Sequence, residues 1–177
     1  MSTPSLRPAQ APSAARKRCF DPVVDRHTRV LVLGSLPGEQ SLALQQYYGN
    51  RQNKFWGLMS QVLDIDLVAL EYAARLQALL AHGVGLWDVV AEAERTGSLD
   101  SGIRDHASND LLALVASLPQ LGLIAFNGGT AARLGRKQLA SDAARWRLLD
   151  LPSSSPAYTL PFEQKMARWA ALREALA

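Results

Sequence analysis

Residues 29–34 read Arg-Val-Leu-Val-Leu-Gly, a short run of branched apolar residues that ends in glycine. An unbroken apolar run of this length is typical of a strand that is buried on both faces of a parallel sheet. Pro37 follows the run, and proline is favoured in the first turn of a helix, so a helix is predicted from about Glu39 to Gln46. The stretch therefore predicts the first strand and helix of an α/β fold.

The alternation of strand and helix continues along the chain. Residues 91–108 are polar and are expected to form loops, and Ser108 or Asn109 is expected to cap the helix that follows. Four strands that alternate with helices predict a three-layer α/β sandwich around a central four-stranded, mainly parallel sheet. The further strands are predicted at residues 83–90, 121–126 and 146–151, and the further helices at about 54–63, 67–81, 110–117, 130–138 and 162–169.

Chain length and charge limit the domain organisation. The 177 residues are 48% apolar, which suits a single compact domain, expected at 19–177. Residues 1–18 are mostly Ser, Pro, Ala and Arg without periodicity and are expected to be a disordered basic tail. The first 20 residues hold four of the 19 basic residues and no acid, which leaves 15 basic against 16 acidic residues elsewhere. Because the body is nearly neutral, any contact with nucleic acid depends on where individual charges lie.

The residue types exclude several classes of protein. A single cysteine, Cys19, can form neither an internal disulfide nor a four-cysteine iron–sulfur cluster. The three histidines lack the spacing of a metal-binding motif, so neither a metal nor another cofactor is expected. No run of 18 apolar residues and no secretory signal occurs. The expectation is a soluble, cytoplasmic monomer.

Segments rich in Gly, Pro, Ser, Asn or Asp follow each of the predicted strands. In parallel α/β sheets, ligands bind beyond the carboxyl ends of the strands, so these segments predict the functional site. Each segment also has a purely structural interpretation, as a tight turn, a helix cap or a linker. The segments are Gly34–Gly38, Asp88 with its neighbours, Asn127–Gly129 and Pro152–Ala157.

Residues 47–56 read Tyr-Tyr-Gly-Asn-Arg-Gln-Asn-Lys-Phe-Trp and place aromatic and amide side chains around a basic loop. Such groups suit a pocket that stacks a flat base and hydrogen-bonds its edge. An aromatic core beside a solvated loop accounts for the same residues. Asp88 could likewise accept a ligand N–H or cap a helix, and Pro152–Ala157 could contact phosphates or act as a linker.

In this order the segments resemble the motifs of the uracil-DNA glycosylase superfamily, and within it the DNA-deoxyinosine (hypoxanthine-DNA) glycosylase family. The patterns G-S-L-P-G, Y-Y-x-x-x-x-N-x-F-W, L-W-D-V and L-P-S-[ST]-S-P-A all occur within about residues 20–170. The resemblance implies a central four-stranded parallel sheet and a monofunctional, metal-independent enzyme of base excision repair. Its expected partner is DNA that contains deaminated bases, and its expected reaction is hydrolysis of the N-glycosidic bond of a flipped base, above all hypoxanthine.

The resemblance also implies roles for individual residues. It places the catalytic Asn at Asn53 and the aromatic that stacks on the flipped base at Phe55. Asp88 stands where other branches carry an Asn that reads the base edge. Ser35 is the only polar side chain in the first motif, where other branches carry an Asp or Asn that positions water. Base contacts are further expected from Gly34, Leu36 and Asn127, and DNA contacts from Ser153, Ser154, Ser155, Pro156 and Ala157.

Two departures from the family pattern leave alternatives open. Arg51-Gln52 stands where Pro-Arg is expected, and the last motif lacks the His that some branches use to stabilise the leaving base. The alternatives are a uracil or mismatch-specific glycosylase of the same superfamily, a damaged-DNA-binding protein without catalysis, and an enzyme acting on free nucleotides. The loop rich in Ser and Pro favours a polymeric substrate over a free nucleotide.

Overall fold

The computed structural model describes residues 15–177, in which seven strands form two sheets. In chain order the strands are β1 (Arg16–Arg18), β2 (Val30–Gly34), β3 (Val84–Asp88), β4 (Val90–Glu94), β5 (Arg104–Ser108), β6 (Leu123–Asn127) and β7 (Arg147–Leu151). The larger sheet has four parallel strands in the order β3-β2-β6-β7. The smaller sheet is antiparallel, in the order β1-β4-β5.

Helices cover both faces of the larger sheet, which confirms the predicted α/β sandwich. On one face lie the second, third, sixth and seventh helices, and on the other lie the fourth and fifth. The helices are α1 (Glu39–Leu44), α2 (Phe55–Leu63), α3 (Tyr72–Ala81), α4 (Leu111–Ala116), α5 (Gly129–Leu139), α6 (Phe162–Trp169) and α7 (Leu172–Leu176).

The central strand β2 serves both cores, as its unbroken apolar sequence predicts. Val30 and Val32 belong to the apolar cluster on the side of α2 and α6, and Leu31 and Leu33 belong to the cluster on the side of α4 and α5. All four side chains are fully buried. Alternate residues of a strand point to opposite faces, so a strand between two helical layers needs apolar residues at every position.

The parallel register brings the carboxyl ends of the four strands to one edge. Gly34 at the end of β2 pairs with Asp88 at the end of β3, and Asn127 at the end of β6 pairs with Leu151 at the end of β7. The segments that follow these residues therefore share a single face of the molecule.

The smaller sheet corrects the expectation that residues 91–108 are loop. Strands β4 and β5 lie within this stretch, and Arg16–Arg18, at the end of the segment expected to be a disordered tail, form β1. Arg16 forms ion pairs with Glu92 and Asp105, both at 3.0 Å. Short, charged strands held by cross-strand ion pairs carry no apolar alternation, so periodicity could not reveal them. Residues 1–14 of the expected tail lie outside the described residues.

Two local expectations on either side of this sheet are also wrong. The cap of α4 is Asp110, whose carboxylate accepts from the backbone N–H of Ala113 at 3.1 Å, and not Ser108 or Asn109. Asn109 instead donates to the backbone carbonyl of Asp88 at 2.7 Å and thus supports the end of β3. Helix α3 begins only at Tyr72, five residues after the start expected from the sequence. Across residues 15–177, no helix has the length and apolar character needed to cross a membrane.

Candidate active site

A cavity of about 490 Å³ opens at the carboxyl edge of the larger sheet. The loops after β2, β3, β6 and β7 meet there, together with the segment that precedes α2 and the loop that joins β4 to β5. A cavity of this size suits a small ligand. Of the predicted site residues, those that line it are Gly34, Ser35, Leu36, Asn53, Asp88, Asn127, Ser153, Ser154, Ser155, Pro156 and Ala157.

Phe55 is the predicted site residue that does not line the cavity. Its side chain is fully buried, and its ring stacks on Tyr48, with 3.9 Å between ring centroids and an interplanar angle of 15°. Trp169 contacts the Phe55 ring edge-on, with the centroids 5.9 Å apart. Tyr48 therefore lies on the cavity wall, which Tyr47 and Tyr158 also line, and Phe55 supports Tyr48 from the core.

Asp88 is the buried carboxyl group of the cavity. Its side chain is almost inaccessible, with 4% of the residue exposed, and Oδ2 has no hydrogen-bond partner within residues 15–177. The pKa of Asp88 is raised to about 7, mainly by burial and also by the charge of Asp100, whereas the charge of Arg95 opposes the shift. A buried polar atom without a partner costs free energy, so this oxygen is available to a ligand that donates a hydrogen bond.

The amide of Asn53 has a defined orientation. Its Oδ1 accepts from the backbone N–H of Phe55 at 2.9 Å, which fixes the oxygen at the start of α2. The Nδ2 group has no partner in the described part of the chain, and Asn53 lines the cavity. The Asn53 Nδ2 group is therefore a hydrogen-bond donor available to a ligand, while Oδ1 is occupied by the backbone of α2.

Asn127 connects the loop after β6 to the loop after β7. Its Oδ1 accepts from the backbone N–H of Ser154 at 2.9 Å, and its Nδ2 donates to the Ser154 hydroxyl at 2.8 Å. A longer bond of 3.3 Å reaches the hydroxyl of Tyr48. These bonds fix the Ser-rich loop and the Tyr48 ring relative to each other. Burial, followed by the charge of Asp88, raises the pKa of Tyr48, so its hydroxyl stays protonated.

The loop after β2 is held by residues of the segment that joins β4 to β5. The Ser35 hydroxyl donates to Asp100 Oδ1 at 2.6 Å. The buried guanidinium of Arg95 donates to the carbonyls of Leu36 and Pro37, and to that of Gly97 at 2.9 Å. The loop at residues 34–38 contains no acidic residue. It is held through the Ser35 hydroxyl and through backbone carbonyls that accept from Arg95.

Tyr48, Arg95 and Asp100 contribute to the site, and the family resemblance implies no individual role for them. Tyr48 stands in the Tyr-Tyr pair of the aromatic motif, so the motif pointed to its neighbourhood. Arg95 and Asp100 lie in the polar stretch expected to be loop, where neither spacing nor periodicity distinguishes a buried charge from a solvated one.

Fold and cavity together define an α/β protein with a cavity lined by polar and aromatic side chains at the carboxyl edge of its parallel sheet. The family model of the uracil DNA glycosylase superfamily matches residues 22–176, and the chain belongs to this superfamily. The predicted resemblance is therefore confirmed, and the protein is a DNA glycosylase, an enzyme that acts on N-glycosyl bonds in DNA.

Relatives and a solved structure support this assignment over nearly the whole chain. A protein of Methanosarcina barkeri named hypoxanthine DNA glycosylase is 36% identical over 88% of this chain and 96% of its own length. A protein of Methanosarcina acetivorans with the same name is 38% identical over 88% of this chain and 97% of its own length. A solution NMR structure from Methanosarcina acetivorans, described as a candidate uracil DNA glycosylase, has a TM-score of 0.81 at 37% identity and covers 91% of this chain and 99% of its own.

Proposed function

We propose that this DNA glycosylase removes hypoxanthine by hydrolysing the N-glycosidic bond of a deoxyinosine that has been flipped out of DNA. The observation that carries the proposal is the buried carboxyl of Asp88, whose Oδ2 has no partner among residues 15–177 and which lines the cavity. Two relatives at 36% and 38% identity bear the name hypoxanthine DNA glycosylase, which supports the same substrate.

The base must leave the stack before any residue of the cavity can reach it. Flipping costs a few kcal/mol and costs least for a weakened pair, such as a hypoxanthine–thymine wobble. Stacking on an aromatic ring returns about 1–3 kcal/mol per base. The Tyr48 ring takes this position in our proposal, with Phe55 behind it at 3.9 Å to keep the ring in place.

Asp88 reads the edge of the base. Hypoxanthine carries a hydrogen on N1, which the ionised carboxylate accepts, whereas adenine presents a bare N1 lone pair that the carboxylate repels. The pKa of about 7 means that the carboxylate is substantially populated at neutral pH. Gly34, Leu36 and Asn127 complete the walls around the base in this arrangement.

Bond cleavage develops positive charge on the sugar and negative charge on the departing base. The free Nδ2 group of Asn53 donates a hydrogen bond to that base as its charge grows, which is worth about 2–4 kcal/mol for a well-aimed donor. The Ser35 hydroxyl gives its hydrogen to Asp100, so its oxygen lone pairs accept a hydrogen bond from the attacking water. The water needs to be positioned but not deprotonated before it attacks, because the sugar cation is a strong electrophile.

The Ser-rich loop holds the DNA strand. Residues 153–157 line the cavity mouth, and Asn127 fixes the middle of the loop through Ser154. Serine hydroxyls and backbone N–H groups bind phosphates, and Pro156 and Ala157 enter the minor groove beside the flipped nucleotide.

Removal of uracil is the second candidate, because the N3–H of uracil satisfies the Asp88 carboxylate as well as the N1–H of hypoxanthine does.

An assay of base release distinguishes the two candidates. The protein is incubated in the presence of EDTA with labelled duplexes that carry one hypoxanthine or one uracil, and abasic sites are then cleaved with alkali. We expect strand scission at hypoxanthine first. Scission at uracil alone would overturn the proposal in favour of the second candidate, and scission that EDTA abolishes would contradict the metal-independent mechanism. A monomeric state and a cytoplasmic location stay predictions.

A further inference from the structure

A second cavity of about 420 Å³ lies on the other side of the Ser-rich loop. It shares Pro156 and Tyr158 with the active-site cavity, so the two are separated only by this loop. Two lysines line it, Lys54 from the start of α2 and Lys165 from α6. Its remaining lining residues are Gln52, Thr159, Leu160, Pro161 and Phe162.

Lys165 is a buried ammonium group without an anionic partner. Only 2% of the residue is exposed, and Nζ donates to the backbone carbonyl of Ser155 at 3.1 Å. Nζ also lies 5.5 Å from the centre of the Tyr158 ring. Burial lowers the pKa of Lys165, and the charge of Lys54 lowers it further. Glu163 lies two residues earlier, at the exposed start of α6, yet within residues 15–177 no acid forms an ion pair with Lys165.

Lys54 adds a second uncompensated charge at the same cavity. Its backbone N–H donates to the carbonyl of Ser154 at 2.9 Å, and it directly follows Asn53. Its side chain likewise has no ion-pair partner in the described chain. Lys54 is exposed and Lys165 is buried, and the charge of Lys54 disfavours the charged form of Lys165. An anion placed between the two ammonium groups would offset this repulsion. The arrangement therefore fits a ligand with negative charge.

We propose that Lys54 and Lys165 bind one backbone phosphate of the damaged strand, next to the flipped nucleotide. The inference rests on the proposed function, in which the base of that nucleotide occupies the adjoining cavity. A phosphodiester of the same strand is the anion that must pass close to a loop shared by both cavities. Because Lys54 and Lys165 bond to the carbonyls of Ser154 and Ser155, the bound phosphate also tightens the loop that contacts the DNA.

A methylphosphonate scan tests this inference by removing the charge of one phosphate at a time. The duplex carries a 2′-fluoro deoxyinosine, which resists hydrolysis, and its affinity is measured with each nearby phosphate replaced in turn. For the unmodified protein we expect one position to weaken binding roughly tenfold, as loss of a charged hydrogen bond does. For Lys54→Gln, binding to the unmodified duplex weakens, and methylphosphonate at that position has a smaller further effect than in the unmodified protein, because only the contact with Lys165 is left to lose.

Lys137→Gln serves as the control, because Lys137 lies on α5 and lines neither cavity. Its affinity and its methylphosphonate profile should match those of the unmodified protein. The salt dependence gives an independent measure, since each lost phosphate contact lowers the log–log slope by about 0.9. Lys165→Gln keeps an N–H donor near Ser155 but loses the charge, and thermal melting shows whether it remains folded.

The two proposals fail in different ways. Base release from hypoxanthine duplexes, with no phosphate position whose effect depends on Lys54, would overturn the phosphate site and leave the proposed function intact. An interaction between Lys54 and one phosphate, without release of hypoxanthine, would overturn the proposed substrate and leave the phosphate site intact.

Discussion

The carboxyl group of Asp88 occupies the space directly above Gly34. A β carbon on residue 34 would lie 2.6 Å from Asp88 Oδ1 and 3.3 Å from the Tyr48 hydroxyl. Paired at the ends of β2 and β3, the two residues are held by the central sheet, so neither backbone can easily move away. Gly34 at the end of β2 thus leaves room for the carboxyl group of Asp88 at the end of β3.

Gly34→Ala should therefore displace Asp88 and disable the site. We expect base release to fall at least tenfold and the free energy of unfolding to fall by about 1–3 kcal/mol, as for other overpacked positions. Gly122→Ala is the matched control, because a β carbon there meets nothing within 4 Å. Single-turnover rates and denaturant unfolding measure the two effects. Unchanged activity in Gly34→Ala would show that the position of Asp88 does not matter.

Asp88 should also make the protein less stable as the pH rises. Its pKa is raised from 3.8 to about 7 by folding, so the folded state binds the proton more tightly than the unfolded state between these values. Stability is then highest near and below the lower value, falls through this window and is fully reduced above about 7. The loss is on the order of 4 kcal/mol, since one pKa unit corresponds to about 1.4 kcal/mol.

Asp88→Asn isolates this contribution, because the amide is nearly the same size and carries no charge. The variant should be more stable than the unmodified protein at about pH 8 and should lose that advantage at about pH 4. Denaturant unfolding of both proteins at the two pH values gives the comparison. Equal pH dependence in the two proteins would mean that ionising Asp88 does not destabilise the folded protein.

Discrimination between hypoxanthine and adenine should improve with rising pH. Only the ionised carboxylate both accepts from N1–H of hypoxanthine and repels the lone pair of adenine N1, whereas a protonated Asp88 can donate to adenine. The ionised fraction rises through a pKa of about 7. We expect the affinity ratio for duplexes with 2′-fluoro deoxyinosine or 2′-fluoro deoxyadenosine to rise between about pH 6 and about pH 8. In Asp88→Asn the ratio should stay constant over this range, and a ratio that still rises there would assign the titration to another group.

The sequence identified the apolar core strand and the loops at its carboxyl edge because those features are local. Residues 30–34 are buried at every position, and the segments after the four strands do meet at one cavity. It could not say which of two stacked rings faces that cavity, because Tyr48 and Phe55 occur in the same motif and only packing places Phe55 behind Tyr48. Arg95 and Asp100 were missed because a buried charge in a polar stretch acquires its partners only through tertiary contacts.

Asn53 could act either as a donor to the departing base or as an acceptor that orients the water, and a pair of variants distinguishes the two roles. As a donor to the departing base, Asn53 should lose about 2–4 kcal/mol of transition-state stabilisation in Asn53→Ala, a fall in rate of roughly thirtyfold to a thousandfold. In Asn53→Asp one oxygen can still accept from the Phe55 N–H, whose bond to Oδ1 is 2.9 Å long, but the donor becomes a negative charge next to a forming anion. Asn53→Asp should therefore be at least as slow as Asn53→Ala in single-turnover base release, while thermal melting stays close to that of the unmodified protein. If Asn53 instead orients the water as an acceptor, the carboxylate serves at least as well, and Asn53→Asp will be the faster of the two.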